Sequence, residues 1–346
     1  MKKDLSEKIR KAIADREKTM GSLVFLDDNI TLMEYHSDYD LEGMLKSGKR
    51  TLTQVARQMQ KQVHVPGLFP NPLRGRGGCS TFNVRTPEGH VLMGRNFDFK
   101  PSKCVIVWTH PEKGYKSVAA IDRAMMFYGD MRRVRRPLRA MGAPYLSMDG
   151  INEKGLSAAI LELATKPTKQ ETGRTPITTN VALRAILDTC ATVEEAIAFL
   201  EQYDMHDLLA ACYHYQFTDE AGNSAIVEYV DNKMYVIRQQ APDESLKLTN
   251  FFLTPSGKCR EMGRDRYEII DCELREKAVM TETEAMEALY RSEANFRSRY
   301  KLWMIKTLWS AVYNCTERTM LLGAGMDHSR KYKLSVFEPL KAVPVE

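Results

Sequence analysis

At Cys79 the chain changes character, and that change limits the folds open to it. The loop-rich stretch from Gly67 to Gly78 (GLFPNPLRGRGG) gives way to Cys79-Ser80-Thr81-Phe82-Asn83-Val84. A turn over Arg85 to Gly89 follows, and then His90 to Phe97 (HVLMGRNF). Two such runs on either side of a Pro/Gly turn read as a β-hairpin. Before the hairpin, residues 1 to about 78 read as mainly helical, with charged heptad-like stretches at Leu5 to Arg16 and Leu52 to Val63. After it, Leu156 to Leu163 is a strand, and Asn180 to Leu187 and Val193 to Tyr203 are helices. Tyr213 to Thr218, Ser224 to Tyr229 and Met234 to Ile237 form a strand meander. Arg260 to Leu274 and Glu282 to Tyr290 return to helix, and Thr307 to Phe337 holds three strands. Strands and helices in blocks, rather than in strict alternation, predict an α+β layered fold with mainly antiparallel sheets.

The 346 residues, 43% of them hydrophobic, suffice for a sizeable core. Charges nearly balance, 50 basic against 45 acidic, and a net +5 is too small to call for nucleic acid or an anionic membrane. A small molecule is the expected partner. The run Met131 to Arg139 (MRRVRRPLR) is the densest basic stretch and reads as a solvated loop or an anion-binding rim. The first twenty residues lack the apolar core of a signal peptide and no stretch is long enough to span a bilayer, so a cytoplasmic location is expected.

Seven cysteines (79, 104, 190, 212, 259, 272 and 315) form no C-x-x-C pair, which argues against a disulfide framework or a zinc knuckle. Most read as small buried hydrophobes. Cys79 differs in its neighbours. Two glycines leave the preceding carbonyl unshielded and tolerate the backbone that an attack by the next residue's side chain requires. Were Cys79 to attack the Gly78 carbonyl, the new terminus would carry a thiol beside an α-amine with a reference pKa of about 7.7 to 8.0, able to take the thiol proton. A hairpin brings Arg95 and Asp98 back beside Cys79. The carboxylate can orient the amine and the guanidinium can stabilise a thiolate. Taken alone, Gly-Gly-Cys also fits a buried structural cysteine, and Arg95 with Asp98 also fits a structural ion pair. A papain-like reading would use His214 or His110 as base, but no local signature places either beside Cys79.

Five ordered motifs carry a resemblance: Gly78 to Phe82, Gly94 to Asp98, Met148 to Leu156 (MDGINEKGL), Leu248-Thr249-Asn250 and Arg264-Asp265-Arg266-Tyr267. Thr307 to Tyr313 (TLWSAVY) adds a C-terminal strand. From about Cys79 onward the chain resembles the choloylglycine hydrolase and acid ceramidase-like superfamily of N-terminal-nucleophile (Ntn) hydrolases. That superfamily includes the penicillin V acylases and the acyl-CoA:isopenicillin N acyltransferase-like proteins. The resemblance implies an αββα four-layer sandwich with Cys79 at the junction of two sheets. Cys79 would be nucleophile and new N-terminus, Arg95 and Asp98 would hold its amine and thiol, Asn250 would donate to the oxyanion, and Arg266 would complete the polar cluster.

It further implies cleavage between Gly78 and Cys79, with 1–78 retained as a small subunit on a 79–346 catalytic domain. No cofactor or metal is called for. Relatives often form homo-oligomers, and the sequence leaves that open here. At Glu162, ten residues after Asn152, relatives place an oxyanion-side Asn or Tyr. An ionised carboxylate cannot donate there, so Glu162 is a substrate-pocket candidate, either held neutral or facing a cationic or hydroxylated substrate. The expected activity is hydrolysis of a linear amide through a thioester. The alternatives are transfer of the acyl group to an amine or thiol, and an unprocessed binding protein of the same fold. The stretch Asp149 to Leu156 reads as a turn leading into a strand, without a catalytic part.

Overall fold

Alternation along the strand Gly78–Arg85 sets the layers of the molecule. Phe82 and Val84 join Leu92, Val312 and Leu321 in an apolar cluster with Ile270, Met286 and Leu289, the inner faces of helices Arg264–Glu276 and Glu282–Arg291. Thr81, on the other face, donates to the Gln216 side chain of a second sheet, 2.6 Å away. The sheet is therefore packed on both sides, by helices and by another sheet. The structure is a computed structural model that describes residues 2–62, 77–126, 137–207, 211–241, 244–297 and 304–345.

The sheet carrying Cys79 has eight strands. At its centre Gly78–Arg85 pairs antiparallel with Val91–Phe99, which pairs with Met304–Asn314. The facing sheet has nine strands and holds Asp149–Asn152, Ser157–Leu163, Cys212–Thr218 and Ser224–Val230 near one end. Helices Thr179–Thr189 and Val193–Glu201 pack on it from outside. The order helix, sheet, sheet, helix is the α+β sandwich expected, and the blocks read after residue 150 fall where the sequence places them. Helix Arg264–Glu276 starts four residues later than expected, because Gly263 caps it in a left-handed conformation (φ 76°).

The leading part departs from its mainly helical reading. Helices Lys2–Gly21, Leu41–Lys46 and Leu52–Gln62 are present, but Ile30–Tyr35 is a strand, paired in parallel with Cys104–Thr109 in the nine-stranded sheet. All six residues except Glu34 are buried, so the run lacks the in-and-out alternation that marks a half-exposed strand. The basic run Met131 to Arg139 lies almost wholly outside the described residues, as does the joint before Gly77. Among the described residues no helix is long and apolar enough to cross a membrane.

Candidate active site

The hairpin of Gly78–Arg85 and Val91–Phe99 brings Cys79 opposite Phe97, Gly78 opposite Asp98 and Thr81 opposite Arg95. Directly paired residues share a face, so Arg95 lies with the thiol between the sheets, whereas Asp98 points to the helix layer beside Gly78. Cys79 is 4% exposed. Burial pushes its thiol up from the ordinary range. The guanidinium groups of Arg95 and Arg266 and a hydrogen bond from the Asp98 backbone pull it down, and the Asp98 carboxylate adds to the rise. No histidine stands among these groups. His214 is instead buried against Glu228 at 3.3 Å, and His110 lies 3.5 Å from Glu34, so the papain-like arrangement is not formed.

Arg95 is wholly buried and spans the two sheets. Its Nε donates to Asp149 Oδ2 at 3.1 Å and its Nη2 to the Ile160 carbonyl at 2.8 Å, while Nη1 has no hydrogen-bond partner among the described residues. Asp149 also accepts from Trp309 Nε1 and the Tyr313 hydroxyl. Donors from three side chains around one buried carboxylate fix the guanidinium beside the thiol. The sequence reading gave Asp149 to a turn; the structure makes it the partner of Arg95. Its position opening the Asp-Gly-Ile-Asn motif carried no sign of that contact, which depends on the packing of one sheet on the other.

Asn250 and Arg266 meet Asp98 on the other side of Cys79. The Cys79 N–H donates to Asn250 Oδ1 at 2.8 Å, and Arg266 Nη2 donates to the same oxygen at 2.8 Å. Two donors on that atom, and the Glu162 carbonyl 2.7 Å from Nδ2, leave only one orientation of the amide. One N–H of Asn250 is thus engaged by a strand carbonyl, and among the described residues the second has no acceptor. The loop behind Asn250 is anchored where Glu228 accepts from the Leu253 and Thr254 backbone at 2.9 and 2.8 Å. Arg266 Nη1 reaches Asp98 Oδ2 at 2.6 Å, and Thr307 Oγ1 donates to Asp98 Oδ1, also at 2.6 Å. Two glycines make room. A Cβ on Gly78 would stand 3.0 Å from both Arg266 Nη2 and Asp98 Oδ2, and one on Gly263 would be 2.4 Å from Arg266 Nη2.

A partly open cleft of about 470 Å³, solvent at its mouth included, runs from Gly77 and Cys79 past Phe97, Phe99, Met148 and Ile160. Glu162 and Tyr213, opposite one another in their ladder, border it. Glu162 is half-buried, and its Oε2 accepts from the Gly77 N–H at 3.3 Å. All six sequence-derived residues, Cys79, Arg95, Asp98, Glu162, Asn250 and Arg266, therefore converge. Asp149 and Thr307 are the additions.

An α+β sandwich of two facing sheets between helix layers is the fold of the Ntn hydrolases. More narrowly, the chain belongs to the family described as acyl-coenzyme A:6-aminopenicillanic acid acyl-transferase, which residues 84–328 match. It is 35% identical over 177 residues to a penicillin V acylase of Pectobacterium atrosepticum, a match spanning 46% of each chain, so the chain covers about half the length of that relative. Two solved structures share the fold. One is a mutant of a conjugated bile acid hydrolase from Clostridium perfringens (TM-score 0.55, 15% identity, 78% of this chain and 96% of that one). The other is penicillin V acylase from Agrobacterium tumefaciens (TM-score 0.54, 19% identity, 75% and 87%).

Proposed function

We propose that this chain is a cysteine amidase that activates itself by cutting between Gly78 and Cys79 and then hydrolyses a linear amide. The observation that carries the reading is the hold on the Cys79 main-chain nitrogen: Asn250 Oδ1 accepts from it at 2.8 Å, and Arg266 ties Asn250 to Asp98. A strand residue in a regular ladder has no need of a dedicated side-chain cluster at its backbone nitrogen. A nitrogen that becomes a catalytic amine does.

In the first step the Cys79 sulfur attacks the Gly78 carbonyl carbon. The peptide C–N bond breaks, the acyl group passes to sulfur, and the nitrogen leaves as the α-amine of Cys79. Water then cleaves the thioester, giving a Gly78 carboxylate and a free thiol. In turnover the α-amine takes the thiol proton, the thiolate attacks the substrate amide, and the remaining N–H of Asn250 donates to the oxyanion. The amine product leaves with a proton, and water activated by the α-amine releases the acid. Arg95 stabilises the thiolate, with Asp149 holding it in place. The apolar walls of the cleft suit an apolar acyl group, and Glu162 would face the polar part of the substrate.

Segment 1–78 would stay bound after cleavage. Its strand Ile30–Tyr35 lies inside the nine-stranded sheet, and Tyr39 donates to the buried Asp188 at 2.7 Å. Tyr145 in turn donates to the Tyr39 carbonyl at 2.9 Å. The family match favours a second reading, transfer of the acyl group to an amine or thiol instead of water.

Incubation with penicillin V and with a panel of N-acyl amides, followed by rapid acid quench and peptide mass mapping, tests the proposal. An acyl adduct on Cys79 that decays to free acid supports a hydrolase, and appearance of a new amide when an amine is added supports transfer. Substrate turnover that survives Cys79→Ala would refute both.

A further inference from the structure

The strand Met304–Asn314 contains an irregularity beside the site. Thr307 pairs with Asp98 and Trp309 with Phe97, with the register shifting between them, so Leu308 is an extra residue. In a regular strand residues two apart share a face. Here the bulge breaks that rule: Trp309 stacks on Phe97 between the sheets, ring centroids 4.1 Å apart, while Thr307 turns to the helix layer where Asp98 lies. Bulges next to active sites commonly re-aim one side chain in this way.

The hydroxyl of Thr307 has its direction fixed. The Ala294 N–H donates to Thr307 Oγ1 at 2.9 Å, and the Thr307 N–H donates to the Ala294 carbonyl at 3.0 Å. With its oxygen accepting there, the single hydroxyl proton goes to Asp98 Oδ1 at 2.6 Å. Asp98 Oδ2 is taken by Arg266. One carboxylate is thus clamped from two sides at complete burial, and only one of the clamps is a charged residue.

We propose that Thr307 is a positioning residue that acts through Asp98 on the reactivity of Cys79. This rests on the reading of Cys79 as nucleophile. Loss of the hydroxyl leaves Asp98 with one clamp and one oxygen without its hydrogen-bond donor, so its negative charge is less screened towards a thiolate at Cys79 and the carboxylate is freer to turn away from Gly78.

The test uses the full chain and its Thr307→Val, Thr307→Ser, Asp98→Ala and Thr307→Val/Asp98→Ala variants, with folding checked by thermal midpoint. The readout is the rate of Cys79 alkylation by iodoacetamide across pH, assigned by peptide mass mapping. Alkylation tracks the thiolate fraction, so Thr307→Val should react about threefold or more slowly near pH 7, with its pH midpoint moved up. Thr307→Ser, which keeps the hydroxyl, should return to within about twofold of the parent. Adding Thr307→Val to Asp98→Ala should change nothing further. Wild-type reactivity in Thr307→Val, slowing that Thr307→Ser fails to relieve, or undiminished slowing in the Asp98→Ala background would each overturn the proposal. Should Thr307→Val fail to fold, Thr307→Ala is read by the same criteria. A Cys79 that reacts but ignores Thr307 overturns this inference alone. A parent chain whose Cys79 does not react at all overturns the functional reading with it.

Discussion

The backbone nitrogen of Cys79 is bonded to the side-chain oxygen of Asn250, 2.8 Å away, although the two residues lie far apart in the chain. That oxygen also takes Arg266, and the amide's other end takes the Glu162 carbonyl, so Asn250 is fixed before any substrate arrives. Replacing Asn250 by Ala removes the hold on the nitrogen and, in the proposed mechanism, the oxyanion donor. Loss of one such donor costs about 10²-fold or more in rate. Time courses of self-cleavage for Asn250→Ala against the parent should show that slowing, and equal rates would remove Asn250 from the mechanism.

Gly78 is needed for space. Its missing Cβ is where Asp98 Oδ2 and Arg266 Nη2 come to 3.0 Å. Gly78→Ala requires this ion pair to give by a few tenths of an ångström, and overpacking a rigid site of this kind costs about 1–3 kcal/mol. The stability measured by urea unfolding should fall by that amount and cleavage should slow. A variant as stable and as quickly cut as the parent would show that the pair yields freely.

Asp122 gives a pH signature away from the site. It is buried, its Oδ2 has no hydrogen-bond partner among the described residues, and burial raises its carboxyl to about 6 despite the hydrogen bonds to Ser102 and the Ala124 backbone. An unfolded Asp titrates near 3.9, so the fold favours the protonated form. Its contribution to stability is complete below about pH 4 and is lost as pH rises to about 6. Asp122→Asn should therefore stabilise the protein by about 1–3 kcal/mol at pH 7.5 and by little at pH 4. Equal effects at both values would contradict the assignment.

Tyr39 ties the leading segment to the rest of the chain through Asp188, which also receives Arg184 at 2.7 Å. Tyr39→Phe leaves a buried carboxylate short of one donor, worth about 1–3 kcal/mol. After cleavage, the two fragments should co-elute in gel filtration and separate at a lower urea concentration in Tyr39→Phe than in the parent. Fragments that part without denaturant would show that 1–78 is released.

Much of the site was legible because its chemistry is local or motif-borne. Cys79, Arg95 and Asp98 sit on one hairpin, whose pairing follows from the Pro/Gly turn between two strand-like runs. Asn250, Arg266 and Glu162 came only through the resemblance, since a Thr-Asn dipeptide and a helical Arg carry no sign of the strand they meet. Asp149 and Thr307 were missed for different reasons. Asp149 meets Arg95 through the packing of one sheet on another. Thr307 meets Asp98 through a bulge that breaks the period-two rule from which a strand's faces are read. The strand Ile30–Tyr35 escaped because a run buried on both faces shows no alternation.

Intact mass spectrometry of freshly purified protein beside Cys79→Ala, with N-terminal sequencing of any fragment, tests the central claim most directly. The account predicts two fragments in the parent, the larger beginning at Cys79, and one uncut chain in the variant. A parent that stays whole, or a variant that is cut as the parent is, would contradict it.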